Sequence, residues 1–329
     1  MKNNPVTIML LTFLPLAAVI TGCRPDHYEL PHDFDLQGHR GAMGLMPENT
    51  IPGFLIAADL NVNTMELDLA VSRDLQLVVS HEPWFRSDIC LQPDGTPIPG
   101  NRERSFRIYE MTYEEVAKFD CGSLQHPGHS RQETHPAPKP LLRDVILAVE
   151  QHARSKGLVA FKYNIEVKSR PEWDNTLTPE PKKFAQLLYR ELSELEKQLP
   201  DPLLTRVSVQ SFDPRALHAI REIEPGLPIA LLTLQEGSVD DHLDYFGLKP
   251  EIYSPNYGLL TPAHIERAHE LGMQVIPWTV NNRTDMKSLV EMGVDGLITD
   301  YPDTFNRLFW ERLRPCPHAQ ARARQQAQP

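Results

Sequence analysis

Two histidines, an arginine and three carboxylates fall between residues 38 and 81: His39, Arg40, Glu48, Glu66, Asp68 and His81. A metal-assisted attack on a phosphate ester needs those groups and little else. An arginine fork can hold two phosphate oxygens. Paired histidines can take one proton and give another. Carboxylates can hold a divalent cation beside a phosphoryl oxygen. Each has a plainer reading alone, since an E-x-D pair is usually a solvated strand face and a lone histidine usually makes a structural hydrogen bond. Their meaning therefore depends on which elements carry them.

Apolar runs alternate with amphipathic ones along most of the chain. Strand patterns occur at 35–38, 64–71, 75–80, 159–167, 206–210, 229–233, 252–254, 274–278 and 296–299. Helical spacing occurs at 50–60, 141–155, 179–198, 214–223, 262–271, 284–291 and 305–313. In the first of these helices Ile51, Phe54, Leu55 and Ala58 form one apolar face, and Thr50 precedes it as a cap. Such alternation implies parallel β with crossover helices. The number of units predicts a TIM-type (β/α)₈ barrel rather than an open sheet, and nine strand candidates for eight places mean that one is spurious or peripheral. Neither G-x-G-x-x-G after the first strand nor a G-x-x-x-x-G-K-[ST] loop occurs.

Residues 82–140 break the rhythm with recurrent proline and glycine. Only 112–119 looks helical there, with Thr112 and Glu115 spaced as a capping box. This is an irregular insertion after the third strand, of a size that tends to cover or shape a site.

In a barrel, side chains at the carboxyl ends of strands face the active-site mouth. His39 and Arg40 follow the first predicted strand, and Glu66 and Asp68 share one face of the second. His81 ends the third, Glu166 and Lys168 the fourth, Gln210 the fifth, and Trp278 a late one. Glu66, Asp68 and Glu166 would repel one another if buried without a cation. Oxygen donors without sulfur favour Mg²⁺ or Ca²⁺ over zinc. Lys168 would add a point-like positive charge to the fork of Arg40.

His39-Arg40-Gly41, Pro47-Glu48-Asn49-Thr50, Glu66-Leu67-Asp68 and His81 resemble the signature of the glycerophosphodiester phosphodiesterase family. Ile165 to Lys168, Gln210-Ser211-Phe212, Trp278 to Asn281 and Gly293 to Asp300 resemble its later blocks, in order. The resemblance spans about residues 35–310. It implies a TIM-type barrel and hydrolysis of glycerophosphodiesters to an alcohol and sn-glycerol 3-phosphate with one divalent cation, Ca²⁺ or Mg²⁺. It implies His39 and His81 as the acid/base pair and Glu66, Asp68 and Glu166 as metal ligands. Arg40 and Lys168 would contact phosphate, Trp278 the glycerol side. Asn49 and Gln210 would support the site, and Glu48 would either do the same or anchor the first loop. Two departures stand out. Glu82 replaces the usual Asp after the second histidine, and Ser72-Arg73-Asp74-Leu75 replaces a Thr-x-Asp-Gly turn. Both are expected to lie beside the site rather than in it.

The N-terminus has a different character. Lys2 precedes an apolar run at 6–20, which is about fifteen residues and short for a bilayer span. It has the form of a secretory h-region. Ile20-Thr21-Gly22-Cys23 resembles a bacterial lipobox, which predicts a lipoprotein signal peptide at 1–22 and acylation of Cys23. Residues 23–33 then form a tether, 34–313 the barrel domain and 314–329 a disordered tail. Arg24 rather than Asp after the cysteine points to the outer membrane, with the protein exported and held to the membrane by a lipid anchor only. In that compartment Cys90 and Cys121, within one loop-like region, are the preferred disulfide pair, leaving Cys316 free. A net charge of -11 argues against nucleic acid as a partner. Two other functions use the same residues: a barrel lyase forming a cyclic phosphate, and a non-catalytic lipoprotein that only captures glycerophosphodiesters.

Overall fold

The computed structural model describes residues 30–309. The signal peptide, Cys23, most of the tether, Cys316 and the tail lie outside them. Among the described residues nine strands occur in the order β1 (Asp35–Gly38), β2 (Thr64–Val71), β3 (Leu77–Val79), β4 (Lys162–Val167), β5 (Val207–Ser211), β6 (Ile229–Thr233), β7 (Ile252–Pro255), β8 (Gln274–Val275) and β9 (Gly296–Thr299). Eight are parallel neighbours in the order β8-β7-β6-β5-β4-β2-β1-β9. The ends of that row meet as well. Asp295 N donates to Val275 O at 3.0 Å, Ile298 N to Pro277 O at 2.9 Å and Val280 N to Ile298 O at 2.9 Å. The result is a (β/α)₈ barrel, as the alternation predicts.

The peripheral strand is the third. β3 runs antiparallel to the outer end of β2, pairing Leu69 with Val79 and Val71 with Leu77. It is shorter than the predicted 75–80 and is not a barrel strand. The reason lies in β2, whose last residues project past the barrel rim and need a partner there. The hairpin returns the chain to the rim, where Ser80 N donates to Asp68 O at 2.9 Å. His81 therefore reaches the mouth from a hairpin rather than from a barrel strand.

The helices are α1 (Ile51–Asp59), α2 (Tyr113–Val116), α3 (Leu142–Lys156), α4 (Pro181–Glu196), α5 (Pro214–Ile223), α6 (Val239–Phe246), α7 (Pro262–Glu270), α8 (Arg283–Met292) and α9 (Pro302–Phe309). Thr50 caps α1 by accepting from Gly53 N, and Thr112 with Glu115 forms the predicted capping box on α2. The sequence reading misses α6. Its apolar face is Val239, His242 and Phe246, and the buried histidine in that stripe hides the periodicity. Ser238 and Asp241 form a capping box that announces the helix start. Helix α9 begins at Pro302, earlier than the predicted 305. β8 is only two residues long, because Pro255 of β7 has no N–H to donate to Ile276 O and continue the ladder.

A large apolar core of buried side chains, among them Leu67, Val145, Leu188, Leu231 and Leu297, joins strands and helices. The insertion has a core of its own. Phe85, Ile108, Val116 and Phe119 pack with Cys90 and Cys121, which form the expected disulfide across 31 residues. Phe85 and Phe119 stack with ring centroids 3.8 Å apart.

Candidate active site

Register alone lines up three of the predicted groups. Asp68 of β2 stands beside Glu166 of β4, and Glu166 beside Gln210 of β5. Glu66 lies two residues before Asp68 on the same strand face. One oxygen from each of Glu66, Asp68 and Glu166 lies within 4.8 Å of the others, and all three residues are buried.

Each carboxylate is held from outside the cluster. Asn49 Nδ2 donates to Asp68 Oδ2 at 2.9 Å, and Lys168 Nζ lies 2.9 Å from Glu166 Oε1 and 3.6 Å from Asp68 Oδ1. Gln210 Nε2 donates to Glu66 Oε1 at 2.7 Å. The orientation of that amide follows from its other end. Asn164 Nδ2 donates to Gln210 Oε1 and to Gln37 Oε1, both at 2.9 Å. Gln210 therefore turns its amino group to Glu66. Asn49 sits at φ +55, a left-handed backbone that asparagine tolerates better than most residues.

Burial, with Asp68 beside it, pushes Glu66 up to about 7. Burial pushes Glu166 up to about 8 despite the opposing ammonium of Lys168. Asp68 goes the other way: against burial, His81, Lys168 and Arg40 hold it well below the usual carboxylate range. Two buried carboxyls held toward their neutral forms, with oxygen-only donors, fit a site for a hard divalent cation.

Arg40 has φ +49, and its backbone N–H donates to Glu66 Oε2 at 2.8 Å. Its Nη1 donates to Glu48 Oε2 at 3.1 Å, while Nε is buried without a hydrogen bond, 3.3 Å from Asp68. Glu48 is thus tied to the site through Arg40. The loop that carries them needs Gly41: it has φ +89, and a Cβ there would stand 2.7 Å from the Gly53 carbonyl carbon.

The two histidines share one design. His39 Nδ1 meets Asp300 Oδ1 at 2.5 Å, and His81 Nδ1 meets Glu82 Oε1 at 2.6 Å. Each carboxylate fixes a tautomer that keeps the proton on Nδ1 and leaves Nε2 for chemistry. Their charge states diverge. Burial opposes a proton on His39, yet Asp300 outweighs it and raises the imidazole above its ordinary value. Burial, then Arg40 and Lys168, lower His81 below it.

Three of these groups are missed or misplaced by the sequence reading. Asp300 closes the last strand by the same strand-end rule and lies inside a quoted motif, but receives no role there. Asn281 holds it, donating from Nδ2 to Asp300 Oδ2 at 2.6 Å. Glu82, expected beside the site, is in it. It lines the cavity and orients His81, and the longer side chain still reaches the imidazole of the preceding residue. The altered turn at 72–75 does lie away from the mouth, with Arg73 paired to Glu115 and Leu75 at φ +61.

His39, Arg40, Glu66, His81, Glu166, Lys168, Gln210 and Trp278 all line one cavity of about 370 Å³. Trp278 has a double role: it faces this cavity and also packs on Ala230, Ile252, Ile276 and Ile298, with Nε1 donating to Ser254 O at 2.8 Å. Cys90 and Cys121 are not among the lining residues.

Two carboxylate-oriented imidazoles, an arginine, a lysine and a carboxylate triad gathered at the carboxyl end of a parallel barrel are the groups that chemistry on a phosphate ester requires. Comparison with known proteins makes the class specific. A family model described as "Glycerophosphoryl diester phosphodiesterase family" matches residues 39–304, so the chain belongs to that family. It is 29% identical over 272 residues to the glycerophosphodiester phosphodiesterase of Caldanaerobacter subterraneus subsp. tengcongensis, covering 82% of this chain and 95% of the relative. A solved structure from Silicibacter pomeroyi, of a protein named for the same family, superposes with a TM-score of 0.74 at 25% identity, covering 86% of this chain and 95% of the other. An Oleispira antarctica phosphodiesterase, solved in complex with the product sn-glycerol-3-phosphate, shares the fold with a TM-score of 0.65 at 19% identity, covering 85% and 96%.

Proposed function

We propose that this protein hydrolyses glycerophosphodiesters to an alcohol and sn-glycerol 3-phosphate, with His39 as general acid, His81 as general base and one divalent cation, Mg²⁺ or Ca²⁺, held by Glu66, Asp68 and Glu166. The observation that carries the reading is the matched pair of carboxylate-oriented histidines facing one cavity with opposite displacements of their proton affinity. When bound, the cation supplies positive charge next to a phosphoryl oxygen.

The chain's own residues do the rest. The phosphate diester sits against the guanidinium of Arg40 and the ammonium of Lys168, which attract its charge and fix its orientation. His81, its proton affinity lowered by burial and by its cationic neighbours, accepts a proton from water as the water oxygen bonds to phosphorus. His39, kept protonated by Asp300, gives its proton to the leaving alkoxide as the opposite P–O bond breaks. A poor alkoxide leaving group makes that acid necessary. Coupled detection of glycerol 3-phosphate with wild type, His39→Ala and His81→Ala tests the reading. Loss of at least about a hundredfold in each variant is expected, and full turnover in the double variant would overturn it.

We further propose that the chain is exported and anchored by lipid on Cys23. The support is the apolar run ending at that cysteine. No helix among the described residues is long and apolar enough to cross a membrane. Mass spectrometry of the protein from a bacterial membrane fraction should show an acylated Cys23. An intact, unmodified N-terminus would refute it.

A further inference from the structure

The cavity has an outer rim that the chemistry above does not use. Trp84 and Arg104 come to it from the insertion, Arg170 and Trp173 from the segment after β4. They form a chain of ring contacts. The Arg104 guanidinium carbon lies 4.9 Å from the Trp84 ring centre, and that of Arg170 lies 4.7 Å from Trp173. The two indoles meet edge to face at 6.0 Å.

Two features set this rim apart from the interior. Neither Arg104 nor Arg170 has a carboxylate within 4.0 Å among the described residues, so their charge is not neutralised locally. The carboxylates lining the cavity, by contrast, are engaged deeper down: Glu166 by Lys168, Glu82 by His81, and Glu66 by Gln210 and the Arg40 backbone. The second feature is Trp84 itself. It is only 7% exposed, lines the cavity, and its indole N–H is buried without a hydrogen-bond partner. A buried donor left unpaired costs free energy, and this one lies in the wall of the rim.

This rim suits one kind of alcohol better than others. A quaternary ammonium seeks bare aromatic faces. Here a face of each indole is already covered by a guanidinium, and two unpaired positive charges would repel the cation. A group bearing oxygen anions meets two arginine forks. We propose that the alcohol half of the preferred diester carries a second anionic group, a carboxylate or a further phosphate, seated between Arg104 and Arg170. This rests on the phosphodiesterase reading and specifies its substrate.

A matched series of glycerol phosphodiesters tests it, each with a two-carbon alcohol: ethanolamine, ethylene glycol, glycolate and ethylene glycol monophosphate. At low ionic strength kcat/KM for the anionic members should exceed that for ethylene glycol by about tenfold, with ethanolamine last. The advantage should shrink as salt screens the exposed arginines. Equal gains for glycolate and the phosphate define a general anion seat, and a gain for the phosphate alone narrows the seat to a second phosphate. In Arg104→Gln/Arg170→Gln the anionic-to-neutral ratio should fall to near one, whereas Arg104→Lys/Arg170→Lys should keep much of it. Using the ratio within each variant removes any general loss of folding or turnover. Cleavage of the neutral diester with no anionic preference, or a preference that survives the double glutamine variant, overturns the inference. Failure of the wild type to cleave any member overturns the phosphodiesterase reading itself.

Discussion

His39 Nδ1 and Asp300 Oδ1 stand 2.5 Å apart although 261 residues separate them, because β1 and β9 are paired neighbours in the barrel. This contact joins the first motif of the chain to the last. It also raises the proton affinity of His39. Asp300→Asn keeps the shape and removes the charge. We expect kcat to fall roughly ten- to a hundredfold, a part of what a general acid contributes. The sign of the pH effect follows: a group that must be protonated loses its proton at lower pH once its anionic partner is gone. The basic limb of the kcat/KM profile should move to lower pH. An unmoved limb would show that Asp300 is only structural.

Gln210 tests the support of the carboxylate cluster. Its amide is locked by Asn164 and donates to Glu66. Partners behind metal ligands typically alter affinity by about 10–100-fold. Gln210→Ala should therefore raise the Kd for Mg²⁺ or Ca²⁺ by about that factor, measured by calorimetry on the chelator-treated protein. An unchanged Kd would remove Glu66 from the ligand set or Gln210 from its support.

The raised carboxyls predict how the metal-free protein responds to pH. Glu66 and Glu166 titrate near 7 and 8 when folded, against an ordinary value of 4.5. A group whose folded pKa is raised contributes stability that is fully present below the unfolded pKa and is lost as pH rises through the folded one. The Tm of chelator-treated protein should fall from about pH 5 to about pH 9 on this account. A divalent cation replaces those protons, so the Tm gain on adding it should grow over the same range. A gain independent of pH would contradict the account.

How much could be read in advance divides along physical lines. Alternating periodicity gave the barrel, and the strand-end rule placed His39, Glu66, Asp68, Glu166 and Gln210 in one mouth. Which of the nine strand candidates lies outside the barrel is not legible, because a short apolar run such as 75–80 has the same appearance in a hairpin as in a barrel. Helix α6 is hard to read in the sequence because His242 occupies an apolar position, its imidazole satisfied by Tyr253 and by the Gln235 carbonyl. Asp300 and Glu82 were undervalued for a different reason. Their work is done on another side chain, and only coordinates show that His39 and His81 each lean on a carboxylate. The stacked rim of Trp84, Arg104, Arg170 and Trp173 joins the insertion to the segment after β4, and no spacing in the chain foretells it.

The disulfide gives a stability test confined to the insertion. Cys90 and Cys121 close a loop with a sequence separation of 31 and sit in the small core around Phe85 and Phe119. Cys90→Ser/Cys121→Ser should cost about 2–4 kcal/mol in the unfolding of that unit. The barrel core, with its separate apolar contacts, should keep its own transition. Denaturant unfolding followed by circular dichroism and by tryptophan fluorescence would show this, and a single unshifted transition would contradict it.

The most direct test of the central claim is phosphorus NMR of a glycerophosphodiester incubated with the purified protein, first stripped of metal and then supplied with Mg²⁺ or Ca²⁺. No reaction is expected in the stripped sample, and conversion of the diester to sn-glycerol 3-phosphate once the cation is restored. An unchanged diester resonance with either cation, or a cyclic phosphate that persists as the end product, would contradict it.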